Sequence, residues 1–301
     1  MRKNIFSVII LLTSIFLFAV PAAASAPSEC DCLQGNNINS QDFTIYGSPV
    51  YSYLTKSGSG YMRVQGNLTE DGRSDVYAEG TQEVYAVYYD SAYNRTGWKK
   101  IPTELPRFGG FYETEQNYYL VTGQNNPSES DSVEVFRITK YDKNWNRIAA
   151  CGIFGANTRD PFRSGSCRMD SAGNILAIRT CHRMYKSETD GQNHQASATF
   201  LLDMDTMTVL DAQTDSEYSY MAYVGHSFNQ FIRIEDNKIT AVDQSDVHPR
   251  AICLTRSAVN IFEREWDGYP LTQTRILTFA DPLMNNLTGA SVGGFEITQQ
   301  G

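Results

Sequence analysis

The stretch from Phe111 to Ile153, FYETEQNYYLVTGQNNPSESDSVEVFRITKYDKNWNRIAACGI, contains four short runs rich in Tyr, Phe, Val, Ile and Thr. The first closes at the tight turn Gln116-Asn117, and the second, YYLVTG, leads into the long polar stretch QNNPSESDS. VEVFRITKYD follows, then the tight turn Lys143-Asn144, then WNRIAACGI. Runs of β-branched and aromatic residues bounded by Gly, Pro, Asn, Asp and Ser read as strands. Four strands joined tight, long, tight make one antiparallel unit.

The same order recurs along the chain. SCRMD and ILAIRTC flank the turn Ser171 to Asn174, HRMYKSETDGQNH forms a long loop, and QASATFLLDMD and TVLDA complete the unit. A third unit runs NQFIRIE, the turn Asp236-Asn237, KITAVD, the loop QSDVHPR, AICLTR and TQTRILTFA. An earlier one begins near Gly47, with YMRVQGN and EVYAVYYDS as its middle runs. Helical periodicity is almost absent. Four-stranded antiparallel units repeating every ~45–65 residues mark a β-propeller, one blade per unit. A sandwich or jelly roll would not be expected to repeat that order of connections. The fold class is therefore all-β, a propeller of four-stranded antiparallel blades.

TGASVGGFEIT, Thr288 to Thr298, echoes RFGGFYET at Arg107 to Thr114, and both read as the opening strand of a blade. Residues 47–301 then hold about four blades plus the first strand of a fifth. Natural β-proteins avoid open sheet edges, so the expectation is an incomplete or truncated ring. The alternative is that the last strand completes the first blade as a closing strap.

Residues 1–26 read as an export signal: Arg2 and Lys3, an apolar run from Ile5 to Val20, and the small-x-small close Ala24-Ser25-Ala26. Residues 27–46 are an N-terminal extension. The apolar run is short for a membrane span, so the expected localisation is secreted or extracellular, without membrane insertion. Arg2 and Lys3 belong to the signal, which leaves 23 of the 25 basic residues against all 34 acidic ones. That balance argues against nucleic acid as a partner, because its affinity rests on basic residues neutralising phosphates. The six cysteines all follow the signal, and an even count in an oxidising compartment invites disulfides. Cys151 with Cys167 is the expected pair. Cys181 and Cys253 read equally as buried thiols or as a bridge.

In a propeller blade the first-to-second and third-to-fourth turns share one face, and the second-to-third loops and inter-blade links share the other. Here the first face is clipped and the second elaborated, and long loops on a rigid scaffold are where binding residues concentrate. All four histidines map to the elaborated face. His182 and His194 bracket one loop, His226 opens the link YVGHSFNQ, and His248 sits in SDVHPR. The candidate ligand-binding set is His182, His194, His226, His248, Asp190, Asn229, Gln230 and Asp246.

Two chemistries suit that set. His182, His194 and His226 with Asp190 or Asp246 offer the residue types of a divalent-cation site, although no HExxH spacing is present and no cofactor is predicted. The plainer alternative is that the histidines hydrogen-bond loop backbones. Carboxylates such as Glu188, Asp190 and Asp246 offer the pair a glycosidase needs. Asp190-Gly191 reads first as a turn.

The motifs TCHRMY…TDGQNHQ, GHSFNQF and SDVHPR together resemble a group of uncharacterised secreted bacterial propeller proteins, over roughly Phe108 to Gly301. The resemblance implies a secreted propeller and brings no activity or catalytic residues. The functional expectation is an exported binding module for a glycan or cell-surface polymer. The alternative is a secreted polysaccharide hydrolase or lyase using His and carboxylates of the same face.

Overall fold

The computed structural model describes residues 52–66, 83–163, 167–214, 227–245, 251–263, 271–279, 292 and 294–298. The expected signal and N-terminal extension lie outside these residues, as do His226, His248 and Asp246. Every regular element among the described residues is a strand.

Blade one comprises β1 (Ser52–Ser57), β2 (Gly60–Gly66), β3 (Val84–Tyr89) and β4 (Arg95–Ile101). Blade two comprises β5 (Arg107–Glu113), β6 (Asn117–Gly123), β7 (Glu134–Asp142) and β8 (Arg147–Phe154). A short strand, β9 (Thr158–Pro161), precedes blade three: β10 (Arg168–Ala172), β11 (Ile175–Lys186), β12 (Asn193–Asp203) and β13 (Thr208–Gln213). Blade four comprises β14 (Ser227–Glu235), β15 (Lys238–Ser245), β16 (Ala251–Ser257) and β17 (Leu271–Thr278). Within each blade the strands pair antiparallel in chain order. The first strands β1, β5, β10 and β14 lie against one another in succession, forming a hub from which the sheets fan out. This is the arrangement of a propeller.

The blades stack through apolar faces. Met62, Val64, Val84, Ala86 and Ile101 of blade one pack on Phe108, Phe111, Tyr118, Leu120, Tyr141 and Trp145 of blade two. Tyr119, Val121, Phe136 and Ile138 on the other face of blade two meet Met169, Leu176, Ile178 and Phe200 of blade three. Ile175, Ala177 and Leu201 meet Ile232, Ile239 and Ala241 of blade four. A sheet packed on both faces has no polar side, which is why β11 is buried without interruption from Ile175 to His182. Each large side chain so buried contributes about 1.5–3 kcal/mol.

Turn chemistry follows the sequence. Asp236 and Asn237 both take positive φ, 49° and 61°, as a two-residue hairpin of the right twist requires. In blade two, Asp142 Oδ1 accepts from the Asn144 and Asn146 amides at 2.8 Å, and Asn146 Nδ2 donates to its Oδ2 at 2.7 Å. That cage holds Trp145 at φ 65°. Blade one repeats it with Asp90, Ala92 and Asn94 around Tyr93 at φ 63°. The shared pattern D-x-x-aromatic-N escaped the reading of the sequence.

At the hub, two glycines permit close approach. A Cβ on Gly109 would lie 2.2 Å from the Phe162 ring, and one on Gly110 would lie 2.7 Å from the Cys167 carbonyl oxygen. Side chains there are excluded by contact. The echoing Gly294 has open space around it instead. Residues of that C-terminal segment lie along the outer face of blade four, where Val292 and Phe295 pack with Phe231 and Val242. They border a cleft of about 400 Å³. Ile276 and Leu277 of β17 remain exposed.

Two expectations are corrected. The loop expected from His182 to His194 is mostly strand: β11 continues to Lys186 and β12 starts at Asn193, leaving only 187–192 as the connection. β9 pairs with this extension, His182 opposite Pro161 and Met184 opposite Thr158, and so prolongs the strand. Cys151 and Cys167 are both free thiols. Cys151 lies in the outer strand β8 opposite Ile138, whereas Cys167 lies at the hub against Gly110. Strands within a blade are about 4.8 Å apart, so rim and hub positions exceed the roughly 7 Å Cα separation a bridge tolerates. Burial pushes the two thiols up to about 11 and about 12. Cys181 and Cys253 are likewise buried thiols and do not form a bridge.

Candidate functional site

The elaborated face of blades two and three is built around Asn126, which is fully buried beneath its own loop. Its Nδ2 donates to the carbonyls of Ser130 (3.0 Å) and Thr158 (3.2 Å) and to Tyr185 Oη (3.0 Å). Its backbone amide donates to the Arg159 carbonyl at 2.7 Å. One side chain thus fixes the loop 124–133 of blade two against β9 and β11. Glu129, at φ 53°, reaches the other way. Its Oε1 accepts from Asn193 Nδ2 at 2.8 Å and its Oε2 from the Lys186 amide at 3.2 Å. Arg159 Nη1 donates to Asn193 Oδ1 at 2.9 Å, and Arg183 pairs with Asp160. The two long connections are therefore laced into one polar platform.

Electrostatics reinforce it. Burial works to raise the Glu129 carboxyl, but the Asn193 amide, the Lys186 N–H and the charges of Arg159 and Lys186 outweigh it and hold the group below the usual range. Asp190 is also held low, first by the Gln192 amide and also by His194. Asp190 Oδ1 accepts from that amide at 2.9 Å, and Oδ2 lies 2.9 Å from His194 Nε2. With Gly191 at φ 70° beside it, Asp190 closes the β11–β12 hairpin. His194 and Asp190 are both exposed on the platform.

The remaining expected residues part company. His182 lies mid-strand with 0% exposure, pointing inward rather than into a loop. Its Nδ1 is 2.7 Å from Thr158 Oγ1, while Nε2 makes no hydrogen bond of good geometry, the Thr214 backbone being its polar neighbour. Burial pushes the imidazole down to about 4, against a smaller opposing pull from Thr214. Gln230 is fully buried at a β-bulge of β14. Asn229 belongs to the same strand, with its side chain outside the described residues. Among the described residues no three His, Cys, Asp or Glu side chains gather as metal ligands.

The His182 shift has a consequence for stability. The unfolded chain, with an imidazole near 6.5, binds a proton that the folded chain refuses until about pH 4. The contribution is therefore complete above about pH 6.5 and is lost as pH falls toward 4, a change of about 3 kcal/mol. His182→Gln removes the titration, so its urea-unfolding free energy should fall less steeply than that of the wild type between pH 7 and 4.5. Parallel curves for the two proteins would refute the assignment.

Two further sites were not anticipated from the sequence. Arg179 and Asp243 form a fully buried ion pair between blades three and four, and the Arg168 guanidinium sits at the hub between the rings of Tyr53 and Phe231. A signal existed for the first, since a charge inside an apolar run such as ILAIRTC must be paired if it is buried.

No family model and no curated protein matches the chain. Solved structures to which the chain is similar include an apocarotenoid oxygenase of Synechocystis, at TM-score 0.45 and 8% identity over 77% of this chain and 50% of that one. The parainfluenza virus 5 hemagglutinin-neuraminidase ectodomain gives TM-score 0.45 and 8% identity over 80% and 57%. A Bombyx mori GH32 beta-fructofuranosidase gives 0.42 and 8% over 71% and 50%. The chain spans about half the length of these structures.

Proposed function

We propose that the chain is an exported bacterial propeller module that binds a glycan or cell-surface polymer on its long-loop face. The observation that carries this reading is the lacing of the loops 124–133 and 187–192 by Asn126, Glu129 and Asn193. A loop surface fixed before the ligand arrives loses little entropy on binding. Tyr185 and the exposed His194 and Asp190 supply the ring face, donors and acceptors that a sugar engages. A hydrolase needs one carboxyl kept protonated near another that is ionised. Glu129 and Asp190 are both held below their ordinary range, which suits binding rather than proton transfer.

Affinity electrophoresis of the protein through gels containing a panel of polysaccharides tests the reading, with reducing-end assays run in parallel. The wild type should be retarded by at least one polymer without releasing new ends. Tyr185→Ala and His194→Ala should weaken the retardation about tenfold, as loss of a stacked ring or a hydrogen bond to a charged group does. Release of new ends would replace binding by hydrolysis, and the absence of retardation by any polymer would end the proposal.

A further inference from the structure

Arg168 opens β10 directly across from Arg179 in β11, so the two arginines occupy one face of blade three as register partners. Like charges so placed repel. The Arg179 charge is met by Asp243, through Nε to Oδ1 at 3.0 Å and Nη2 to Oδ2 at 2.7 Å. Among the described residues Arg168 has no such answer. Among the described residues no carboxylate bonds it, and its buried Nε makes no hydrogen bond. Its guanidinium carbon instead lies 5.1 Å from the Tyr53 ring centroid of blade one and 4.8 Å from that of Phe231 in blade four. Two rings, one from blade one and one from blade four, hold the group at the hub.

Three acids, two of them in first strands, have partners of their own. Asp170 accepts from the Ile234 amide at 2.8 Å, from its neighbour Ser171 and from Tyr112. Glu113 bonds Thr55 and pairs with Lys143, and Glu296 pairs with Arg233. Among the described residues the Arg168 charge therefore has no carboxylate opposite it, in a chain whose net charge is −9. It lies on the platform side, because β11 runs from Arg179 toward the 187–192 connection and β9 continues the line of β10 in that direction.

We infer that Arg168 seats a carboxylate of the ligand, so that the glycan class bound is one bearing uronic-acid-type groups. A planar guanidinium fork matches a carboxylate in two parallel bonds. Ring stacking fixes the fork in advance, which saves the side-chain entropy that such a contact ordinarily costs. The sugar part of this inference rests on the glycan reading above, whereas the carboxylate part does not.

The test compares tetragalacturonate with its fully methyl-esterified form, which keeps the skeleton and removes the charge. Calorimetry on the wild type should show the acid binding at least about tenfold tighter than the ester, as a charge-assisted bond provides. Arg168→Gln should erase that preference by weakening the acid far more than the ester, and Arg168→Lys should keep part of it. Thermal unfolding with sodium acetate should show carboxylate stabilisation in the wild type and none in Arg168→Gln. If the ester binds as tightly as the acid, or Arg168→Gln keeps the preference, the carboxylate seat is wrong and the glycan reading stands. If neither sugar binds but acetate stabilisation depends on Arg168, the seat stands and the uronic-acid assignment falls. The acid-against-ester comparison needs only the wild-type protein, so a poorly folded variant does not remove the test.

Discussion

Replacing Arg179 by Ala is expected to destabilise the protein by about 3–5 kcal/mol, and Asp243→Ala by a similar amount. Arg179 is 1% and Asp243 0% exposed in side chain, so either truncation strands a charge away from water. Arg179 Nη1 also donates to Thr199 Oγ1 at 2.8 Å, and Nη2 to Ser197 Oγ at 3.2 Å. Each truncation therefore breaks a network that joins β11 and β12 to β15. The loss is a large share of the 5–15 kcal/mol by which proteins are ordinarily stable. The double variant Arg179→Met with Asp243→Leu should recover most of it, because replacing both charges by apolar groups leaves nothing unpaired. Urea unfolding of the two single variants and the double settles the matter. A single-variant cost below about 1 kcal/mol would mean that the pair is solvated and does not join the blades.

Trp145→Ala should cost about 3–5 kcal/mol, whereas Tyr93→Ala should cost less than about 1 kcal/mol, although both stand in the same turn motif. Trp145 is 5% exposed and packs on Tyr118 at 4.6 Å, Tyr141 at 5.6 Å and Phe111 at 5.8 Å between ring centroids. Its Nε1 donates to Tyr88 Oη at 3.0 Å, so the side chain also joins blade two to blade one. Tyr93 is 59% exposed and, among the described residues, its ring stacks on Tyr61 at 4.6 Å and on no other ring. The cage in each turn imposes the positive φ, and the packing of the ring on a preceding blade decides its worth. Thermal unfolding of both variants checks the contrast. Equal losses would show that the Tyr93 face is covered in solution.

The bladed plan was legible because each blade repeats a local pattern. Gln116-Asn117, Lys143-Asn144 and Asp236-Asn237 each stand at the tight turn expected of them, since turn residues act on their own backbone. The strand extension at His182–Lys186 was less legible. Its polar side chains hid an alternation that is completed only by β9, which pairs from more than twenty residues earlier in the chain. His182 therefore looked like a loop ligand and is a buried structural residue. Asn126 carried no sequence signal at all, because its partners at Thr158 and Tyr185 come from other elements. His194 and Asp190 meet because they are four positions apart in one hairpin.

The sequence by itself determined that the chain folds as successive four-stranded antiparallel units with one face clipped and the other elaborated. Hydrophobic alternation and turn residues act over a few positions, so the order of residues is enough to reveal them. Only the tertiary structure decided which charges meet. Arg179 finds Asp243 across 64 residues, while its register partner Arg168 finds two rings and, among the described residues, no acid. Pairing across blades depends on how sheets stack about the hub, and stacking is set by the summed packing of apolar faces rather than by any local stretch.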